Sequence, residues 1–110
     1  AAITGTMRAG GKVAGGADAI FAANDVSAFG ALDALRHELG LRVPQDVSVI
    51  GFDDIAQANW KSYNLTTVKF DLEARVRALV RLILRRLNEP DSPGLEETLS
   101  TRLVVRGTVG

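Results

Sequence analysis

Two polar pairs, Asn24-Asp25 and Asp53-Asp54, each close a short apolar run, Ala19 to Ala23 and Val47 to Phe52. An amide beside carboxylates supplies donors and acceptors together, the combination a polyhydroxylated ligand needs. These four residues are therefore the leading candidates for ligand contact. The plainer reading is that Asp25, Asp46 and Asp71 cap helices. Signatures of catalysis are poor. The single histidine, His37, falls on the polar side of a helical pattern and reads as a solvated group. No Gly-x-Ser-x-Gly elbow, phosphate loop or His/Glu metal spacing occurs, and Gly10-Gly11-Lys12 lacks the rest of a phosphate-binding pattern. Asp53-Asp54 resembles a magnesium-holding acidic pair, but the reading finds no lysine closing a later strand to meet a phosphoryl group. The expectation is binding rather than catalysis, with no catalytic residue, metal or cofactor.

The aromatic residues leave alternatives open. Trp60 and Tyr63 can stack on a sugar face, or cover the rim of the core or a subunit contact. Phe29 fits either core packing or a dimer contact. The arginines of the last helical segment, Arg75, Arg77, Arg81, Arg85 and Arg86, read as a solvated face, the last two complementing the carbonyl end of the helix dipole.

Positioning these residues requires strands and helices in alternation. Residues 1–16 hold five of the eleven glycines and read as a loop-like lead-in. Ala19 to Ala23 suits a strand buried on both faces. Asn24 or Asp25 then caps a helix carrying Phe29, Leu32, Leu35 and Leu39, which Gly40 ends. Val43 to Asp46 is a turn, and Val47 to Phe52 a second strand. This is a βαβ unit, whose crossover is right-handed. Leu65 to Phe70 reads as a third strand. Asp71 caps the longest helix, with the apolar stripe Leu72, Val76, Leu79, Val80, Ile83, Leu84 and Leu87. Thr98 to Arg106 is a last strand. The class is α/β with a mainly parallel sheet, and ligands of such sheets gather at the carboxyl ends of the strands.

Composition agrees with an ordinary domain: 110 residues, 46% hydrophobic and 24% charged. Thirteen basic residues balance thirteen acidic ones, which is not the footprint of a domain that grips nucleic acid by itself. No apolar run approaches the roughly 18 residues of a membrane span, and no secretory signal opens the sequence. The absence of cysteine excludes disulfides and thiolate chemistry.

Four motifs in order carry a family resemblance. Residues 17–31 (ADAIFAANDVSAFGA), 41–54 (LRVPQDVSVIGFDD), 65–68 (LTTV) and 101–108 (TRLVVRGT) resemble the effector domains of LacI/GalR-type bacterial transcriptional regulators. The resemblance covers about residues 17 to 108. It implies a three-layer αβα fold of the periplasmic-binding-protein-like type I, of which this is the C-terminal part, with residues 17–110 crossing to a second subdomain near 66–71. It further implies that Asn24 and Asp53 contact a small-molecule effector, sugar-like or a purine. Phe70 stands where the family often has a ligand-binding glutamine, which points to a stacking or less polar contact, and Trp60 is a further ligand candidate. Val76 stands where the family usually has glycine. Phe29, Trp60 and Lys61 fall on the family's homodimer surface. Operator DNA would be read by a separate helix-turn-helix, and the protein would be cytoplasmic. A periplasmic sugar-binding protein is the alternative. In this chain alone, the apolar stripe from Leu72 to Leu87 is expected to fold back on the sheet or to pair with another copy.

Overall fold

The computed structural model describes residues 16–110 and, before them, the backbone of two short strands, β1 (Met7–Arg8) and β2 (Lys12–Val13), which pair antiparallel. The rest of the lead-in before residue 16 lies outside the described residues. The chain then forms β3 (Ala19–Phe21), α1 (Asp25–Asp33), β4 (Ser48–Phe52), β5 (Thr66–Phe70), α2 (Leu72–Asn88) and β6 (Thr101–Val104). Strands β3 to β6 make one sheet in sequence order, with β3, β4 and β5 parallel. Two units are distinguished: Ala1–Lys69 with Leu103–Gly110, and Phe70–Arg102.

In the first unit, α1 buries Ala28, Phe29, Ala31 and Leu32. A single π-helical turn, Ala34–Glu38, adds Leu35. Residues at this spacing share one helix face, and they meet Ile20, Ala22, Val47 and Val49 of the sheet in one core. Full burial of side chains such as Leu32 and Leu35 contributes about 1.5–3 kcal/mol each. The helix ends where Leu41 N–H reaches back to Leu35 O at 2.7 Å and Gly40 takes φ 64°, a left-handed stop that glycine accepts without a Cβ clash.

The expectation that the first strand is buried on both faces is not met. Ile20 is buried between exposed Ala19 and Phe21, and Phe21 is 63% exposed. β4 likewise alternates, with Val49 and Gly51 inward. Only the face met by α1 is dry in this unit, so the described residues form a partial αβα arrangement. The turn before β4 is closed by Asp46, whose carboxylate accepts the Arg42 backbone N–H at 2.7 Å and the Arg42 guanidinium at 3.0 and 3.1 Å. Asp46 therefore caps no helix; its carboxylate folds back over its own loop, which contains a cis Val43-Pro44 bond.

The second unit is dominated by α2. Asp71 caps it as expected, accepting the Ala74 N–H at 3.1 Å. At the other end Arg86 donates to the carbonyl oxygens of Pro90, Ser92 and Pro93, which gathers the loop onto the last turn. Arg81 pairs with Glu97. The apolar stripe stays open: Leu72, Val76, Leu79, Val80, Ile83, Leu84 and Leu87 are each 49–71% exposed. Leu79, Leu82, Ile83, Leu87 and Leu95 line a groove of about 280 Å³.

Candidate functional site

Parallel pairing brings the two polar pairs to the same place. Phe21 faces Ile50 across the β3–β4 ladder, and Asn24 and Asp53 each follow three residues later. Both therefore leave the sheet at its carboxyl edge. Asn24 is the N-cap of α1: its Oδ1 accepts the Ser27 N–H at 2.8 Å. That bond fixes the amide plane and leaves Nδ2 to donate outward. Asp53 is half-buried, and its backbone N–H is bound to Val68 O at 2.9 Å. The edge thus carries a donor on one strand end and a carboxylate acceptor on the next.

Asp25, a candidate helix cap from the sequence, has a different task. It is fully buried; Oδ2 accepts the Ile55 N–H at 2.8 Å and Oδ1 accepts the Thr67 hydroxyl at 2.6 Å. Its position in the first turn of α1 also suits the positive end of the helix dipole. The carboxylate ties the start of α1 to the loop after β4 and to β5, and so sets the relation of Asn24 to Asp53. Space for it exists because residue 51 is glycine. A Cβ there would stand 2.4 Å from Asp25 Oδ1 and 2.8 Å from Leu65 Cδ2.

The loop after β4 is strained. Asp53 has φ 126° and Asp54 has φ 56°, conformations that cost a residue with a side chain about 1–3 kcal/mol each. Asp54 is held from two sides, by Arg106 Nη2 at 2.8 Å and by Lys69 Nζ at 3.7 Å. The absence of a partner lysine near the acidic pair, inferred from the sequence, is thus corrected: Lys69 provides one. With Arg106 on its other oxygen, Asp54 is bound into the framework rather than presented to a ligand. Thr108 adds a further tie, accepting the Thr66 N–H at 2.9 Å and donating to Val49 O at 2.6 Å. The roles of Asp25, Asp54, Arg106 and Thr108 went unseen in the sequence because their partners lie 15 to 59 residues away.

The remaining candidates are dispersed. Trp60 is 56% exposed and lies in the turn that leads back to the start of β5. There Ser62 O accepts Arg36 Nη1 at 2.8 Å, and the Tyr63 hydroxyl approaches Asp33 at 3.5 Å. Asp33 is nine residues along the helix from Asn24, about 14 Å at 1.5 Å per residue. The Ser62–Tyr63 end of the turn is thus held against the second half of α1 and the π-helical turn after it. Lys61 is exposed in the same turn. Phe29 is 8% exposed and stacked on Tyr63, with ring centroids 4.1 Å apart and planes at 20°. Its ring is committed to the chain's own core. Phe70 belongs to the second unit, where the Arg75 guanidinium lies 4.7 Å over its ring. His37 is exposed. No cluster of metal-ligating side chains occurs among the described residues, and no helix among them is long and apolar enough to cross a membrane.

An open parallel sheet with a donor and an acceptor at its carboxyl edge defines an α/β ligand-binding domain. The chain belongs to the periplasmic binding protein-like domain family, whose sequence profile matches residues 4–109. The match extends the likeness of residues 17 to 108 into the lead-in. Over 93 residues the chain is 44% identical to the HTH-type transcriptional repressor MelR of Bacillus subtilis (strain 168), covering 84% of this chain and 26% of that protein. It therefore spans about a quarter of the length of the relative. A LacI-family regulator from Arthrobacter sp. FB24 in complex with lactose superposes with a TM-score of 0.65 at 40% identity, covering 84% of this chain and 35% of that one. The regulator CelR in complex with cellobiose gives 0.68 at 34% identity, covering 83% and 28%.

Proposed function

We propose that this chain is the C-terminal part of the effector-binding domain of a cytoplasmic LacI-type transcriptional repressor. Asn24 and Asp53 contact a sugar-like effector, Asn24 donating through Nδ2 and Asp53 accepting through its carboxylate. Neighbouring sugar hydroxyls, each both donor and acceptor, match that pair. The observation that carries the reading is the common edge on which the β3–β4 register sets both residues. The lactose and cellobiose bound by the two similar regulators support the ligand class. Binding favours one arrangement of the effector domain, and the population of DNA-competent homodimers shifts with it. Operator DNA is read by a part of the protein outside this chain, consistent with the chain's balanced charge. Trp60 and Lys61, adjacent and both exposed, form part of the dimer surface. The chain carries out no catalysis.

A thermal-shift screen of the full-length protein against lactose, cellobiose and ribose tests the ligand class. At least one sugar is expected to raise the melting temperature of the native protein, and Asn24→Ala or Asp53→Asn is expected to remove most of the shift. A shift that survives both substitutions would contradict the assignment of the two residues.

A further inference from the structure

Asp54 joins three pieces of chain that are distant in sequence. It follows Asp53 out of β4, its Oδ1 accepts Arg106 Nη2 at 2.8 Å, and its Oδ2 faces Lys69 Nζ at 3.7 Å. Arg106 holds more than this carboxylate. Its Nη1 donates to Leu65 O at 2.9 Å, and its backbone N–H donates to Thr66 Oγ1 at 2.9 Å. The pair is nearly dry, with side-chain exposures of 10% for Asp54 and 14% for Arg106, whereas Lys69 is 46% exposed. A buried ion pair resists the loss of either partner, because the survivor would be an uncompensated charge. Arg106 is therefore the principal anchor of Asp54, and Lys69 the lesser one.

The positions of the two cations give the arrangement its meaning. Lys69 is the last residue of the first unit before the chain leaves it, and Arg106 lies three residues after Leu103, where the chain returns. We propose that Asp54 is a positioning residue: through Arg106 and Lys69 it fixes the strained backbone that presents Asp53, and it ties that backbone to both points where the chain crosses between units. This rests on the reading of Asp53 as an effector contact. On that reading, a load on Asp53 reaches the departing and returning segments through one carboxylate.

Hydrogen exchange of the full-length protein, read by mass spectrometry without added ligand, tests the coupling. The variants are Asp54→Asn, Arg106→Met, Arg106→Lys and Lys69→Met. Peptides covering 51–56, 65–70 and 103–107 should exchange together, about tenfold faster or more, in D54N and R106M, while the peptide covering 28–38 keeps its native rate. K69M should show a weaker version of the pattern. R106K, which keeps a cation for Asp54, should recover most of the protection. Wild-type rates in D54N and R106M would overturn the proposal. So would an equal acceleration of 28–38, which marks general destabilisation, or an R106K no better than R106M. If D54N does not fold, the contrast between R106M and R106K decides. Because no ligand is added, failure of sugar binding and failure of coupling appear in separate experiments.

Discussion

The Thr67 hydroxyl donates a 2.6 Å hydrogen bond to the buried Asp25 carboxylate, 42 residues earlier in the chain. With the Ile55 N–H on the other oxygen, this contact joins α1, the loop after β4 and β5 at one point. Thr67→Val keeps the shape of the side chain but leaves a buried carboxylate oxygen short of a donor. The expected loss is about 1–3 kcal/mol of stability, read by urea unfolding. Thr67→Ser should restore most of it. An unchanged midpoint in T67V would show that water replaces the hydroxyl.

Gly51 is fixed by the same carboxylate. Gly51→Ala places a Cβ where Asp25 Oδ1 and Leu65 Cδ2 already stand, at 2.4 and 2.8 Å. Overpacking of this kind costs about 1–3 kcal/mol, and here it also displaces the Asp25 carboxylate that ties α1 to the loop after β4. Chemical denaturation should show the loss, and effector binding should weaken beyond what stability alone explains.

The Arg42–Asp46 turn gives a pH dependence of known sign. The Arg42 guanidinium, and after it the Arg42 backbone N–H, hold the Asp46 carboxyl below its ordinary range. A carboxylate with a lowered folded-state pKa stabilises above its unfolded value, and the benefit fades as pH falls through the folded value. Asp46→Asn should therefore cause a small loss near neutrality that shrinks below about pH 4. Melting curves of both proteins from pH 7 to pH 3 check this. A gap that widens with acid would contradict it.

The open stripe of α2 predicts association of the 110-residue chain in isolation. A contiguous apolar surface of this kind is rare on a monomer. Light scattering should show concentration-dependent oligomers, and Leu79→Glu with Ile83→Glu should shift the population toward monomer. A monodisperse wild-type monomer would overturn this prediction.

Local chemistry made much of the fold legible. The β3–α1–β4 unit, the left-handed stop at Gly40, the Asp71 cap and the periodic stripe of α2 all follow from residue types at short spacing. The polar edge was legible too, since both pairs follow apolar runs that must be strands. What stayed hidden depends on long-range partners or on cover. An Asp at a helix start looks like a cap until the Thr67 hydroxyl is found beside it. Asp46 looks like a cap until Arg42 is seen enclosed by it. Phe21 sits in an apolar run that reads as doubly buried, yet nothing covers its side of β3 among the described residues. Phe29 shows the same limit for surfaces: an aromatic in the first helix fits core or dimer until the Tyr63 ring is found stacked on it.

The central claim is that Asn24 and Asp53 act together on one effector. Isothermal titration of the full-length protein with the sugar that gives the largest thermal shift, repeated for Asn24→Ala, Asp53→Asn and the double variant, tests it most directly. Each single change should weaken binding by about tenfold or more, as loss of a charge-assisted or well-oriented hydrogen bond does. The double variant should lose less than the product of the two, because both residues hold the same ligand. Native affinity in either single variant would contradict the account.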